Sequence, residues 1–406
     1  MTIHRDADSA APGAVETAVR DRYAAGAQAA EAALCCPIDY DPQYLRVLPE
    51  EVLERDYGCG DPSKFVKEGD TVVDLGSGGG KICFIASQIV GETGRVIGVD
   101  MTDEMLELAR RSAPVVAERV GWDNVTFHKG YIQDLRTDMD RVASRLAERP
   151  VTSVSDLQAL ETWQKAEFDE NPMVADGTVD VVVSNCVLNL VDPKDRASML
   201  AEIFRVLKKG GKAAISDIVC DEPVPREMRE DPVLWSGCIS GAWEEAAFLK
   251  AFEDAGFHGV EIAAYQEEPW QTVNGIEFRS MTVVAYKGKQ GACWDHKQAV
   301  VYKGPFKSVL DDDGHSYPRG ARVAVCKKTF ELLANGPYAD RFLFIEPREP
   351  VSAEDAEPFA CLPTDHVANM TNWQRVDAGV VTRSARETKG ANYDATIACD
   401  PESGCC

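Results

Sequence analysis

Between Thr71 and Cys220 the apolar positions fall into two kinds of run that alternate along the chain. Short, nearly continuous apolar stretches bounded by glycine or aspartate predict buried strands: TVVDLG from Thr71, GRVIGVD ending at Asp100, NVTFHKGYI from Asn124, VDVVVSNCVLNL from Val179 and KAAISDIVC ending at Cys220. Between them, KICFIASQIV, DEMLELARRSAPVVAERV and DRASMLAEIFRVLKKGG carry apolar residues at helical spacing, the last predicted to close at Gly210-Gly211. Strands that alternate with helices predict a parallel α/β sheet. A helix near Glu244 to Ala255 and two further strands, GVEIAAY and FRSMTVVAY, complete the pattern.

Outside this block the pattern changes. Residues 1 to about 33 read as an Ala-rich amphipathic helix, followed by Cys35-Cys36-Pro37 and an irregular stretch to Pro62. Residues 138 to 172 are polar and helix-prone and predict a surface excursion that carries no chemistry. After Lys287, YKGPFKSVLDDDGHSYPRGARVAVC predicts a small β-rich module, and the Pro-, Asp- and Ser-rich stretch from about 347 predicts a loose tail running to Cys399, Cys405 and Cys406. The expected division of the 406 residues is an N-terminal arm (1–62), a catalytic region (63–287) and a C-terminal module with a Cys-rich tail (288–406).

Charge and composition narrow the function. Lys+Arg 43 against Asp+Glu 67 gives a net charge of -24, which repels phosphate backbones and anionic lipid, so neither nucleic acid nor a membrane is expected as partner. No apolar run has signal-peptide or membrane-span character, so a cytoplasmic protein is expected, with a monomer as the working oligomeric state. In that compartment 13 cysteines point to thiol chemistry or soft-metal binding rather than to disulfides.

The turn Asp74-Leu75-Gly76-Ser77-Gly78-Gly79-Gly80 lies between a strand and a helix, where glycines let a ligand rest on bare backbone. Lys81 stands where a dinucleotide fingerprint wants another glycine, so a cofactor without a pyrophosphate fits better. Asp100, ending the next strand, is placed to accept hydrogen bonds from both hydroxyls of a ribose, and an adenosyl group is the expected ligand.

Cys186 ends the strand VVVSNC, at the sheet edge where α/β proteins bind ligands, and Cys238 lies in the small-residue loop WSGCISG. Cys59, flanked by glycines, and the Cys35-Cys36 pair precede the first strand and are placed to fold over the same crevice. Dispersed thiols without Cys-x-x-Cys spacing suit a trithiolate site for a soft element better than a zinc ribbon. Cys83 reads as helix packing; Cys293, His296, His315 and Cys326 offer four metal-ligand types but lack paired spacing in their second half and read rather as unrelated surface residues, and Asp311 to Gly314 as a turn. No histidine or paired carboxylate stands at the strand ends, which disfavours acceptors that need a general base.

The segments CCPIDYDPQYLRVLPEEVLERDYGCGDP, VVDLGSGGGKICFIASQIVGETGRVIGVDMT, HKGYIQDL, VVVSNCVLNLV and LWSGCISGA together resemble the arsenite S-adenosylmethionine methyltransferases, over roughly residues 35 to 287. The resemblance implies a class I methyltransferase: a Rossmann-like, seven-stranded, mostly parallel sheet. It implies As(III) on Cys59, Cys186 and Cys238, with Cys35 or Cys36 as an additional redox thiol. It implies a S-adenosylmethionine pocket lined by Tyr57, Asp74, Gly76, Gly78, Asp100, Met101, Tyr131 and Ile132. Arsenite and methylated arsenicals are then the expected substrates, with thioredoxin or glutathione as thiol reductant. Two other functions stay open on the residues alone: methyl transfer to another small soft or thiol acceptor, and sequestration of metalloids without turnover.

Overall fold

The structure, a computed structural model, describes residues 14–28, 38, 40–55 and 57–360. The arm contributes α1 (Ala14–Gly26), α2 (Pro42–Leu45) and α3 (Glu50–Glu54). The alternating block follows as β1 (Thr71–Leu75), α4 (Lys81–Val90), β2 (Arg95–Asp100), α5 (Asp103–Val120), β3 (Val125–Lys129), α6 (Met139–Glu148), α7 (Val154–Glu170), β4 (Val179–Asn185), α8 (Arg196–Val206) and β5 (Leu207–Cys220). Next come α9 (Arg226–Arg229), α10 (Pro232–Ser236), β6 (Trp243–Glu244), α11 (Glu245–Asp254), β7 (His258–Tyr265), β8 (Gln271–Val273) and β9 (Ile276–Tyr286).

Seven strands run in the order β3-β2-β1-β4-β5-β9-β7, and the short β6 and β8 add to β5 and β9 to make nine. Strands β1 to β5 pair in parallel, whereas β9 is antiparallel to both of its long neighbours. The central strands β1, β2, β4 and β5 are buried on both faces because they are apolar at successive positions, while the edge strand β7 is largely exposed. Val72, Val181 and Val183 pack in one cluster with Phe84 of α4 and Leu108 of α5. Val73 and Val182 pack in another with Met199 of α8 and Phe248 of α11. Each such fully buried side chain contributes about 1.5–3 kcal/mol, and the two cores hold the carboxyl ends of β1, β2 and β4 level with one another.

One predicted boundary is corrected. The segment around Gly210-Gly211 does not cap a helix: α8 stops at Val206, and both glycines belong to β5. The β4–β5 register jumps from Val179 with Leu207 to Val181 with Lys212, so the extra residues of β5 bulge. Gly210 takes φ +86° there, and a side chain on Gly211 would meet the Asp180 carbonyl oxygen at 2.9 Å. The 138–172 excursion folds as α6 and α7, and the Ser153 hydroxyl caps α7 by accepting the Asp156 N–H.

The C-terminal part adds β10 (Trp294–Asp295), β11 (Gln298–Tyr302), β12 (Ser308–Leu310), β13 (Ser316–Pro318), β14 (Arg322–Val325), α12 (Lys327–Ala334), β15 (Phe342–Ile345) and β16 (Glu357–Pro358). Strand β11 pairs with β14 and β15 around a small core of Val300, Tyr302, Tyr317, Leu333 and Phe342. The tail is better ordered at its start than expected, since β16 pairs with β10. The module meets the main sheet where Gly259 N–H donates to the Asp312 carboxylate at 2.8 Å and His258 stacks on Tyr286 and Tyr338. Among the described residues no helix is long and apolar enough to cross a membrane.

Candidate active site

Tyr57, Asp74, Gly76, Gly78, Asp100, Met101, Tyr131 and Ile132 line one cleft at the carboxyl ends of β1 and β2. The turn after β1 must be glycine-rich: Gly76 adopts φ +68°, and a side chain there would strike Val187 at 2.5 Å. Gly78 adopts φ +51° and donates its N–H to one Asp100 oxygen at 2.8 Å, while Thr102 N–H holds the other at 2.8 Å. Both bonds orient the carboxylate and leave each oxygen a second lone pair. Burial raises the Asp100 pKa against the pull of these N–H donors. Asp74 is also buried and accepts a hydrogen bond from Cys83 Sγ at 3.2 Å, so Cys83 holds a residue of the cleft as well as packing. Tyr57 donates its hydroxyl to the Gly26 carbonyl at 2.9 Å and meets Tyr23 edge-on, which ties α1 across the cleft.

The three expected arsenic thiols converge beside this cleft. Cys59 is carried by a glycine loop clamped to Asn185: the Asn185 side-chain oxygen accepts Cys59 N–H at 2.8 Å and Gly60 N–H at 3.0 Å, and its amide donates to Gly60 O at 2.7 Å. A side chain at Gly58 would overlap Asn185, and one at Gly60 would overlap Ser216, so the close approach requires glycine on both sides. Ser280 Oγ donates to the Cys59 carbonyl. Cys186, the next residue after the clamp, lines the cofactor cleft and donates its N–H to Ser216 O at 2.8 Å. Cys238 follows α10, with its Sγ 3.5 Å from the Cys186 carbonyl oxygen.

Cys186 and Cys238 sit at φ +63° and +61°, a left-handed conformation that side chains rarely adopt. The fold thus stores backbone strain at two of the three thiols. All three are buried. A hydrogen bond with Cys238 lowers the Cys186 pKa, but Cys59, burial and the Asp217 charge outweigh it and hold that thiol well above its usual range. Cys238 is raised by its hydrogen bond with Cys186, then by burial. The Tyr23 hydroxyl of α1 lies 3.9 Å from Cys238 Sγ and closes the cluster from the arm side.

Sequence reasoning missed Asp217. It is fully buried in β5, and one of its oxygens lies with the Cys59 and Cys186 sulfurs in a set whose members are all within 4.8 Å of one another. Burial pushes its pKa up to about 7. A single carboxylate is not the histidine or paired-carboxylate arrangement of a general base; the one available signal for it was an acid inside the apolar strand KAAISDIVC. Cys35 and Cys36, like Cys399, Cys405 and Cys406, lie outside the described residues. The His296, His315 and Cys326 side chains are engaged separately: His296 with Val351 O, His315 with Asp311, and Cys326, buried rather than at the surface, as the cap of α12.

A family model described as a methyltransferase domain matches residues 66–159 and 160–256, and one described as a domain of unknown function (DUF8838) matches 289–393. The X-ray structure of CrArsM, an arsenic(III) S-adenosylmethionine methyltransferase from Chlamydomonas reinhardtii, superposes with a TM-score of 0.52 at 28% identity, covering 77% of this chain and 97% of that one. With the bare glycine turn after β1 and the oriented acid ending β2 fitting an adenosyl group, fold and site define a class I S-adenosylmethionine-dependent methyltransferase. Arsenite methyltransferases of Aquipseudomonas alcaligenes and Mus musculus are 34% and 31% identical, covering 77% and 75% of this chain and 84% and 75% of theirs. The chain belongs to the arsenite methyltransferase family.

Proposed function

We propose that this enzyme transfers the methyl group of S-adenosylmethionine to As(III) held by Cys59, Cys186 and Cys238, giving methylated arsenicals and S-adenosylhomocysteine. The observation that carries the reading is the convergence of three buried thiols, two of them on strained backbone, in one cluster beside the adenosyl cleft, whose wall Cys186 helps to form.

The raised thiol pKa values suit this substrate. Neutral arsenous acid exchanges its three hydroxyls for three neutral thiols, releasing three waters, so the bound complex carries no net charge into the buried site. Burial that suppresses a free thiolate therefore does not oppose loading. S-adenosylmethionine supplies a methyl group on a positively charged sulfur. The role of this chain is to fix the arsenic lone pair toward that methyl and to exclude water, which Asn185, Ser280 and Tyr23 serve by holding Cys59 and covering Cys238. Methyl transfer takes arsenic formally to As(V). We assign its return to As(III) to a thiol pair, Cys35 or Cys36 with Cys59, which gives up two electrons as a disulfide and is reset by thioredoxin or glutathione.

Direct binding tests the ligand set. Cys59→Ser, Cys186→Ser and Cys238→Ser should each weaken arsenite binding at least about tenfold, the effect of a lost strong ligand worth 1.4 kcal/mol or more. S-adenosylmethionine affinity should be kept. Undiminished arsenite affinity in all three variants would overturn the assignment.

A further inference from the structure

We infer that Asp217 is the anion that stabilises the positive charge arriving on arsenic during methyl transfer. The inference rests on the trithiolate reading above and assigns a task to a residue that reading leaves unused. Asp217 sits in β5 between the two cores, entirely buried, with a carboxylate oxygen within 4.8 Å of both the Cys59 and the Cys186 sulfurs. Its two oxygens are fixed by backbone donors, Ile218 N–H at 2.8 Å and Asn189 N–H at 3.2 Å. The cation whose field reaches it, Arg196, gives its guanidinium N–H groups to the carbonyls of Val191, Asn189 and Gly241 and makes no hydrogen bond to the carboxylate.

Holding two backbone N–H groups does not require a charge; an asparagine or serine oxygen serves as well. The chemistry supplies a reason for a carboxylate. The arsenic lone pair forms the new As–C bond as the S–C bond breaks, and the electron pair of that bond stays on sulfur, which becomes the neutral thioether of S-adenosylhomocysteine. The positive charge leaves sulfur and appears on four-coordinate arsenic. A neutral trithiolate has become a cation inside a buried site, next to the Asp217 carboxyl group, which is held in place and is ionised in a large share of molecules at neutral pH. A fixed charge aimed at the point where charge develops stabilises the transition state without reorganisation. The same reasoning accounts for a site that holds an acid yet needs no general base, since no proton moves.

The test compares Asp217→Asn with the natural protein in single-turnover methyl transfer, alongside direct titrations of arsenite and S-adenosylmethionine. The expected result is a loss of about 100-fold in the single-turnover rate, the usual effect of deleting one such electrostatic group, with both affinities within about threefold. If the Asn variant loses cofactor binding, the size-matched pair Asp217→Glu and Asp217→Gln carries the comparison, with the Glu variant faster. A rate within about threefold of the natural protein, or a rate loss matched by lost arsenite affinity, would each overturn the inference. Failure of the trithiolate reading looks different: arsenite affinity would then survive the cysteine substitutions themselves.

Discussion

Asn185 grips the backbone of Cys59 from across the sheet, its side-chain oxygen 2.8 Å from the Cys59 nitrogen. Because Asn185 directly precedes Cys186, one side chain sets the spacing of two proposed arsenic ligands that are 127 positions apart in sequence. The loop that carries Cys59 is thus fastened to the end of β4.

Replacing that side chain should therefore act on arsenic more than on fold. Asn185→Ala removes three hydrogen bonds to the 59–60 loop, each with a net contribution of about 0.5–1.5 kcal/mol. Arsenite affinity should fall about tenfold or more, and Cys59 should react faster with iodoacetamide as its loop loosens. Calorimetric titration and a timed alkylation read the two effects. An unchanged arsenite affinity would remove Asn185 from the account.

Asp100 should govern the cofactor alone. Asp100→Ala deletes a carboxylate poised for two ribose hydroxyls, and hydrogen bonds to a charged group contribute about 1.5–3 kcal/mol each. S-adenosylmethionine affinity should drop at least about tenfold in calorimetry while arsenite affinity holds. Equal cofactor affinity in the two proteins would mean that the ribose is held elsewhere.

His258 should make the seam with the C-terminal module acid-sensitive. Burial, and secondarily Lys289, holds its pKa down at about 4 from 6.5, while Asp313 pulls the other way. The folded state thus refuses a proton that the unfolded chain accepts. Its contribution to stability is full above pH 6.5 and is lost as pH falls toward 4, by up to about 3 kcal/mol. His258→Gln should flatten the dependence of the unfolding midpoint on pH in that window relative to the natural protein. Parallel curves for the two proteins would count against the assignment.

How far the sequence discloses this protein depends on the range of the interactions involved. Strands such as TVVDL and RVIGVD, and the glycine turn between β1 and α4, are visible because periodicity and turn chemistry act within a few residues. Gly210-Gly211 mislead because Lys-Lys-Gly-Gly has the local character of a helix end, whereas the flanking Leu207 and Lys212 pair with β4 and the two glycines exchange backbone hydrogen bonds with Lys287, just past β9. The two-residue β6 and three-residue β8 are too short to carry a period. At the site, Cys59, Cys186 and Cys238 can be named by residue type and motif. The left-handed backbone of Cys186 and Cys238, the Asn185 clamp and the place of Asp217 beside the sulfurs all arise from chain segments far apart in sequence, and no local pattern encodes them.

The most direct test of the central claim is release of S-adenosylhomocysteine by the purified protein with S-adenosylmethionine, arsenite and a thiol reductant, measured beside Cys186→Ser. Release that depends on arsenite and falls at least about 100-fold in the variant, the order expected when a reacting group is lost from its site, is the predicted result. Arsenite-dependent release at the same rate in both proteins would contradict a site built on Cys186.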